Sequence, residues 1–304
     1  MPDGRHAVSG SADGTLRVWD LDSGMCQQTL EAHSGKVMTM TVTADGRHAV
    51  FAGLLDPTLR VWNLESSNRA RAMEGHSLHV AALAAIPDAR RIVSCSQDRS
   101  LILWDVSSGV HLKTLKGHRY AVSAVAALPD ARRIISTSLD STLRVWDLQS
   151  GACQEERFGH EFWDAPVAAL PNGRWIASGS LDGTLRLWNL KPWELMGVLD
   201  VDGCISAIAV GPDGRRLLVG DRNGRLLIVA LQNVRLGAPH LTAWYLAEAM
   251  AYAFGCPLCG TWSEISGSAL GTEMACPNCG EVVELNPFKI EGDWRPIAKA
   301  WRGE

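Results

Sequence analysis

Four cysteines near the C-terminus have the types and spacing that speak most directly of chemistry. Cys256 and Cys259 form one C-x2-C pair, Cys276 and Cys279 a second, and 16 residues lie between the pairs. Each pair reads Cys-Pro-x-Cys-Gly. A tight turn of that kind aims two sulfurs at one ion, and the following glycine supplies the positive φ the turn needs. Two such pairs at this distance are a strong zinc signal. Four thiolates close a tetrahedral shell with no position left for water, so the expected ion is structural Zn2+. Binding of this kind is worth roughly 10–16 kcal/mol, enough to fold a short segment with little core of its own. Two thioredoxin-like dithiols are the competing reading, and two matched knuckles favour one metal over them. Iron fits the same ligands. The remaining cysteines, Cys26, Cys95, Cys153 and Cys204, are scattered singly, which is not the arithmetic of a disulfide framework. There is no nucleophile elbow, Walker loop or dinucleotide fingerprint.

The elements that position any site are set by repeats. Ser9 to Leu21 reads SGSADGTLRVWDL, Ser136 to Leu148 STSLDSTLRVWDL and Ser178 to Leu190 SGSLDGTLRLWNL. Ser94 to Val106 and Ala52 to Leu64 are further copies, and Gly220 to Leu231 is a faded one with Val229 in the Trp place. The tryptophans at 19, 62, 104, 146 and 188 give periods of 43, 42, 42 and 42, and they account for part of an unusual twelve Trp. Within one period the spacing predicts strands over Val80 to Ile86, Arg91 to Ser96, Ser100 to Asp105 and Val110 to Leu115, with turn residues between. One such sheet cannot bury both faces; stacking copies around an axis can.

The chain resembles the WD40 family over residues 1 to about 240, on Gly-His, Asp and Trp-Asp repeated in register. The resemblance implies an all-β fold: a WD40 β-propeller with six recognisable blades, the first incomplete. It also implies buried hydrogen-bonded tetrads of His, Ser, Asp and Trp. These would be His76, Ser94, Asp98 and Trp104; His118, Ser136, Asp140 and Trp146; and His160, Ser178, Asp182 and Trp188. The second blade has His33, Asp56 and Trp62, with Ala52 expected in the Ser place. The sixth has Asn223 for Asp and Val229 for Trp, so apolar packing is expected to hold it. Ser, His and Asp together invite a catalytic reading, but three full sets argue for a repeated structural tie. No catalytic residue is assigned.

The cysteine segment resembles rubredoxin-type zinc ribbons. A domain boundary is therefore expected near 240, with a propeller over 1–240 and a ribbon and tail over 241–304. Trp294 and Trp301 are expected to pack on the propeller or the ribbon; the alternative is an exposed partner-binding tail. From His240 to Glu304 there are four basic and eight acidic residues, which disfavours phosphate binding and hence nucleic acid. The chain opens on Pro2-Asp3-Gly4-Arg5, a turn that elsewhere follows a blade's first strand. The first blade thus lacks its innermost strand. Either a C-terminal strand fills that place or further blades precede it, and the second is preferred.

In the family, partners dock on the loops that follow Gly-His and on the residue before the turn Asp. Here those loops carry Tyr120, Phe162 and Trp163, and the adjacent turns carry Leu139 and Leu181. Aromatic and Leu residues at exposed loop positions suggest a patch for other proteins; the bland alternative is that Phe162 and Trp163 cap blade 5. Net charge is −4 and hydrophobic content 46%, ordinary for a soluble protein. The sequence shows no membrane span or signal peptide, so a cytoplasmic location is expected. A small-molecule substrate is not expected. Two functions stay open: a non-catalytic protein-interaction scaffold, in a larger signalling protein, or a nucleic-acid-associated factor or enzyme accessory domain using the ribbon.

Overall fold

The computed structural model describes residues 1–31, 35–54, 56–66, 71–160, 166–232 and 238–302, the side chains of 300–302 excepted. Alternating apolar residues and tight turns build six antiparallel sheets. Blade 1 is β1 (His6–Gly10), β2 (Thr15–Asp20) and β3 (Cys26–Glu31). Blade 2 is β4 (Val37–Val42), β5 (His48–Gly53), β6 (Leu59–Asn63) and β7 (Arg71–Met73). Blade 3 is β8 (Val80–Ala85), β9 (Arg91–Ser96), β10 (Ser100–Asp105) and β11 (His111–Lys116). Blade 4 is β12 (Val122–Ala127), β13 (Arg133–Ser138), β14 (Thr142–Asp147) and β15 (Cys153–Phe158). Blade 5 is β16 (Val167–Ala169), β17 (Trp175–Gly179), β18 (Thr184–Leu190) and β19 (Trp193–Asp200). Blade 6 is β20 (Ile205–Val210), β21 (Arg216–Asp221) and β22 (Leu226–Ala230). The expected strands of blade 3 match to within a residue at each end.

Local chemistry explains the turns. Asp88 Oδ1 accepts the N–H groups of Arg90 and Arg91, both at 3.0 Å, and Asp130 repeats this with Arg132 and Arg133. The residue after each Asp has positive φ: Ala89, Ala131 and, in the other blades, Gly4, Gly46 and Gly214. Glycine meets that demand without strain.

The core lies between blades. Trp62 packs on Leu16 and Val18, Trp104 on Leu59 and Val61, and Trp146 on Leu101 and Leu103. Trp188 sits on Leu143 and Val145 in the same way. In blade 6 Leu217, Val219 and Val229 meet Ala177 and Leu185. Trp62, Trp104, Trp146 and Trp188 therefore face the preceding blade, and the paired apolar residues they meet face the next.

Residues after blade 6 form another sheet, in the order β25 (Trp262–Ile265), β24 (Ala251–Gly255), β23 (His240–Leu246), β27 (Val282–Glu291), β26 (Glu273–Ala275). Only β23 and β27 are parallel neighbours in it. A short helix, α1 (Arg295–Arg302), follows. This sheet lies across the Pro-Asp-x-Arg turns. His240 N–H donates to the Pro171 carbonyl at 2.8 Å. Asn286 Nδ2 donates to the Pro129 carbonyl at 2.9 Å. Phe288 packs on Ala131 and Leu148, and Trp244 against Ala44 and Ala89. Of the two ways of completing blade 1, the less favoured one, a C-terminal strand, is not seen among the described residues: those strands pair with one another over the turn face. No described strand occupies the inner place in blade 1 or the outer place in blade 6.

Candidate functional site

The three full tetrads assemble with one geometry. His118 Nδ1 lies 2.9 Å from Asp140 Oδ2, its Nε2 lies 2.7 Å from Ser136 Oγ, and Trp146 Nε1 donates to that same Oγ at 2.8 Å. His76 repeats these contacts at 2.8 and 2.7 Å, with Trp104 Nε1 at 2.8 Å from Ser94 Oγ. His160 repeats them with Asp182 and Ser178 at 3.2 and 2.8 Å, and Trp188 donates to Ser178 Oγ at 2.9 Å. A carboxylate carries no proton, so Nδ1–H donates to Asp. Ser Oγ takes the indole N–H and donates its own proton to Nε2. A neutral imidazole satisfies every group. Burial lowers the pKa of His118, against the opposing pull of Asp140. Burial also works against the Asp140 carboxylate. Hydrogen bonds from Thr142, the Arg119 N–H and His118 outweigh it and hold the pKa at about 2.

The departures are as informative. Blade 1 keeps the Trp19-to-Ser9 bond at 2.8 Å. In blade 2 the expected alignment is corrected. Ser94 stands opposite Ile102 and Ser136 opposite Arg144, whereas Arg60 faces Phe51 and not Ala52. One extra residue in the β5–β6 turn causes the shift, which is why the first period is 43. A buried phenyl ring replaces the hydroxyl, and Trp62 Nε1 has no hydrogen-bond partner among the described residues. His33 lies outside the described residues. Blade 6 is expected to be held mainly by apolar packing, and its apolar residues do pack on blade 5. It also carries a polar tie: Arg225 Nε donates to Asp221 Oδ2 at 2.6 Å, and its other arm reaches the Asp202 carbonyl.

Sequence reasoning also missed the second Arg of Pro-Asp-Ala-Arg-Arg. Arg91 pairs with Asp88 and donates to the Ala131 carbonyl of the next blade at 2.9 Å. Arg133 pairs with Asp130 and reaches the Gly173 carbonyl at 3.2 Å. Its recurrence at 42-residue spacing was the available signal.

Cys256, Cys259, Cys276 and Cys279 converge, with all four sulfurs within 4.8 Å of one another. The turns are twins. Gly260 N–H donates to the Cys256 carbonyl at 2.8 Å, and Gly280 N–H to the Cys276 carbonyl at 2.9 Å. Both glycines have positive φ. The Cys256–Cys279 and Cys259–Cys276 sulfur distances are 3.9 and 3.8 Å. Metal–sulfur bonds of about 2.3 Å in a tetrahedron require about 3.8 Å. The cluster can hold a metal ion of that kind.

Tyr120 is 62% exposed, and Leu139 and Leu181 are half-buried. Leu139 N–H donates to the Ala121 carbonyl at 2.9 Å, and Ser138 Oγ to the Tyr120 carbonyl at 3.1 Å. This end of the blades is opposite the turns that the C-terminal sheet covers. Trp294 stacks on Trp262 with 5.6 Å between centroids, as one of the two expected packings has it. Phe162 and Trp163, and the Trp301 side chain, lie outside the described residues.

Five consecutive stretches match the family model for the WD domain, G-beta repeat: residues 1–20, 24–63, 67–105, 109–147 and 151–189. Together they span more than half of the chain. The chain belongs to the WD40 repeat family. The sixth blade and the C-terminal sheet lie outside these matches. Among similar WD40 proteins, the nuclear distribution protein PAC1-2 of Uncinocarpus reesii is 42% identical over 53 residues, 17% of this chain and 12% of that protein. The human WD repeat-containing protein 86 is 45% identical over 42 residues, 14% of this chain and 11% of that protein. The apoptotic protease-activating factor 1 of Danio rerio is 48% identical over 42 residues, 14% of this chain and 3% of that protein. The matches thus span only a small part of each relative's length, about one repeat. No helix among the described residues is long and apolar enough to cross a membrane.

Proposed function

We propose that this WD40 protein is a non-catalytic protein-interaction scaffold whose partner docks on the Gly-His loop face. Tyr120, Leu139 and Leu181 form the described part of that surface, and Phe162 and Trp163 belong to it as well. The exposed Tyr120 ring, on a loop fixed to a rigid blade, is the observation that carries this reading. A large aromatic in water at an ordered position is typical of an interface anchor. The Ser-His-Asp sets do not compete for the role of active site. Their Ser residues are fully buried and already accept an indole N–H, so a substrate has no path to them. A further relative supports this reading: one in Xenopus laevis is a p21-activated protein kinase-interacting protein 1-like protein.

The proposal extends to organisation. Residues 1–240 are the propeller, and 241–304 a ribbon folded around one structural zinc held by Cys256, Cys259, Cys276 and Cys279. Cysteines that form no disulfide suit a reducing, cytoplasmic compartment. A role within a larger signalling protein is the finer form of this proposal. Nucleic acid is the weaker reading, because acidic residues outnumber basic ones in the ribbon.

The test uses the full chain, wild type and Tyr120→Ala, in a quantitative pull-down beside thermal melts. Loss of specific partners at an unchanged melt is expected, since truncated aromatic anchors commonly cost about 2 kcal/mol of binding or more. Unchanged partners, or a lowered melt, would return Tyr120 to a purely structural role.

A further inference from the structure

In blades 1, 2, 4 and 5 an arginine stands two residues before the core Trp, and each is spent on a nearby acid: Arg17 on Asp13, Arg60 on Asp56, Arg144 on Glu156 and Arg186 on Asp182. Blade 3 has Ile102 in that place. The basic residues here sit out on the loop face instead. Arg99 is on the β9–β10 turn, Lys116 ends β11, and Arg119 follows in the Gly-His loop; all three are exposed. None of them is ion-paired with a described residue, because the adjoining acids hold other groups. Asp98 takes His76, the Ser77 N–H and Ser100. Asp140 takes His118, the Arg119 N–H and Thr142. Arg99 also has a φ of 71°, in the left-handed region that favours glycine. Blades 1, 5 and 6 place Gly14, Gly183 and Gly224 there, and blade 4 the small Ser141. A long charged side chain at a position its backbone resists calls for a use.

Arg99 and Lys116 line a groove of about 420 Å3, together with Ser77, Leu78 and His118. Leu78 is 51% exposed, and Arg119 and Tyr120 follow His118 directly in the chain. The walls are fixed in place. Ser77 N–H donates to Asp98 Oδ2 at 3.0 Å, and the Leu78 carbonyl accepts from Ser96 Oγ at 3.0 Å. Arg119 N–H donates to Asp140 Oδ2 at 2.8 Å. Loops held this way need little ordering when a ligand arrives, which lowers the entropic cost of binding. The surroundings carry the opposite sign. Asp200 and Asp202 are exposed on the same end in blades 5 and 6, and the chain's net charge is −4. The positive patch is therefore local, too short for a nucleic-acid backbone to track.

We propose that this groove binds a short acidic segment of a partner protein, rich in Asp and Glu and carrying one apolar side chain. The segment's carboxylates meet Arg99, Lys116 and Arg119, since a guanidinium grips a carboxylate through two parallel hydrogen bonds. Its apolar side chain lies on Leu78 and the Tyr120 ring. The inference rests on the loop-face reading and adds to it the chemistry of the partner. Opposite charge also speeds the encounter and rejects basic partners.

The probe is a displayed library of random short peptides, selected on the full wild-type chain. The strongest binder is then labelled and titrated by fluorescence anisotropy. Selected sequences should be enriched in Asp and Glu around a Leu or an aromatic residue, and their binding should weaken as salt is raised. Arg99→Glu combined with Lys116→Glu should weaken binding at least about tenfold, a change of about 1.4 kcal/mol. The melt should stay unchanged, because both side chains are exposed. Arg99→Gly should weaken binding too without lowering the melt, since glycine takes this φ without strain. Neutral or basic selected sequences, no selected sequence at all, or equal binding to the charge-reversed protein would overturn the proposal. Equal displacement of the peptide by a single-stranded oligonucleotide would overturn the choice of a protein segment. Lysate partners that need Tyr120 but ignore the charge reversal would sink this inference and leave the loop-face reading standing. Partners indifferent to Tyr120→Ala would instead remove that reading itself.

Discussion

Each tetrad works as a relay of buried groups that is complete only when its imidazole is neutral. Removing one member strands the others. Asp140→Ala leaves His118 Nδ1–H, the Arg119 N–H and Thr142 without their acceptor, and should cost roughly 1–3 kcal/mol at pH 7. The same relay sets the acid response. His76, His118 and His160 all have folded pKa values lowered by burial, against the pull of their Asp partners. They therefore add stability above the ordinary 6.5, and that stability is lost as pH falls through their depressed values. Asp140, held at about 2, adds stability above its ordinary 3.8 that is lost as pH falls towards 2. Denaturant midpoints should thus begin to fall below about pH 6.5 and fall again below about pH 4. A midpoint flat from pH 7 to pH 5 would contradict neutral buried histidines.

At the scale of elements, the two Cys turns join strands that have little to bury alone. The sheet from β23 to β27 gathers Phe254, Val283 and Leu285 around Cys256 and Cys276, and a small Trp244–Trp262–Trp294 layer backs it. If one ion holds the four sulfurs, its binding is a large share of that sheet's stability. Cys276→Ser should release bound zinc, as read by elemental analysis, and open residues 240–291 to protease. The blades carry their own cores and should keep their protection. Protease resistance equal to wild type in the Cys276→Ser protein would show that packing alone holds the sheet. The blade 2 turn teaches a related lesson. One added residue moved Phe51 into a hydroxyl's place, because a single-residue slip exchanges the two faces of a strand.

For the whole molecule, the decisive arrangement is the C-terminal sheet lying over the turn face, from Ala44 in blade 2 to Pro171 in blade 5. It does not cover the described part of the loop face, where the partner is proposed to dock. Asn286 is buried and bonds both the Pro129 carbonyl and Thr242 Oγ1, and Phe288 fills the seam beside Ala131 and Leu148. Phe288→Ala should remove up to about 2 kcal/mol of apolar contact. Calorimetry should then show the sheet and the blades melting in two steps where the wild type melts in one. Coincident melting in the variant would mean that other contacts hold the seam.

The sequence by itself determined the blades, their turns, the three full tetrads and the pairing of the four cysteines. All of these depend on residues within about one repeat of one another, where strand period and turn chemistry are local rules. Even the slip in blade 2 was written in the spacing of 43 between Trp19 and Trp62, although only the strand register showed which side of the turn had lengthened. Tertiary structure alone decided where the C-terminal sheet rests. The Asn286–Pro129 bond joins residues 157 apart, and no periodicity records such a contact. It also decided that β22 has no outer neighbour among the described residues. Whether a strand is covered depends on what else reaches it in space, and the motif that builds the strand is the same either way.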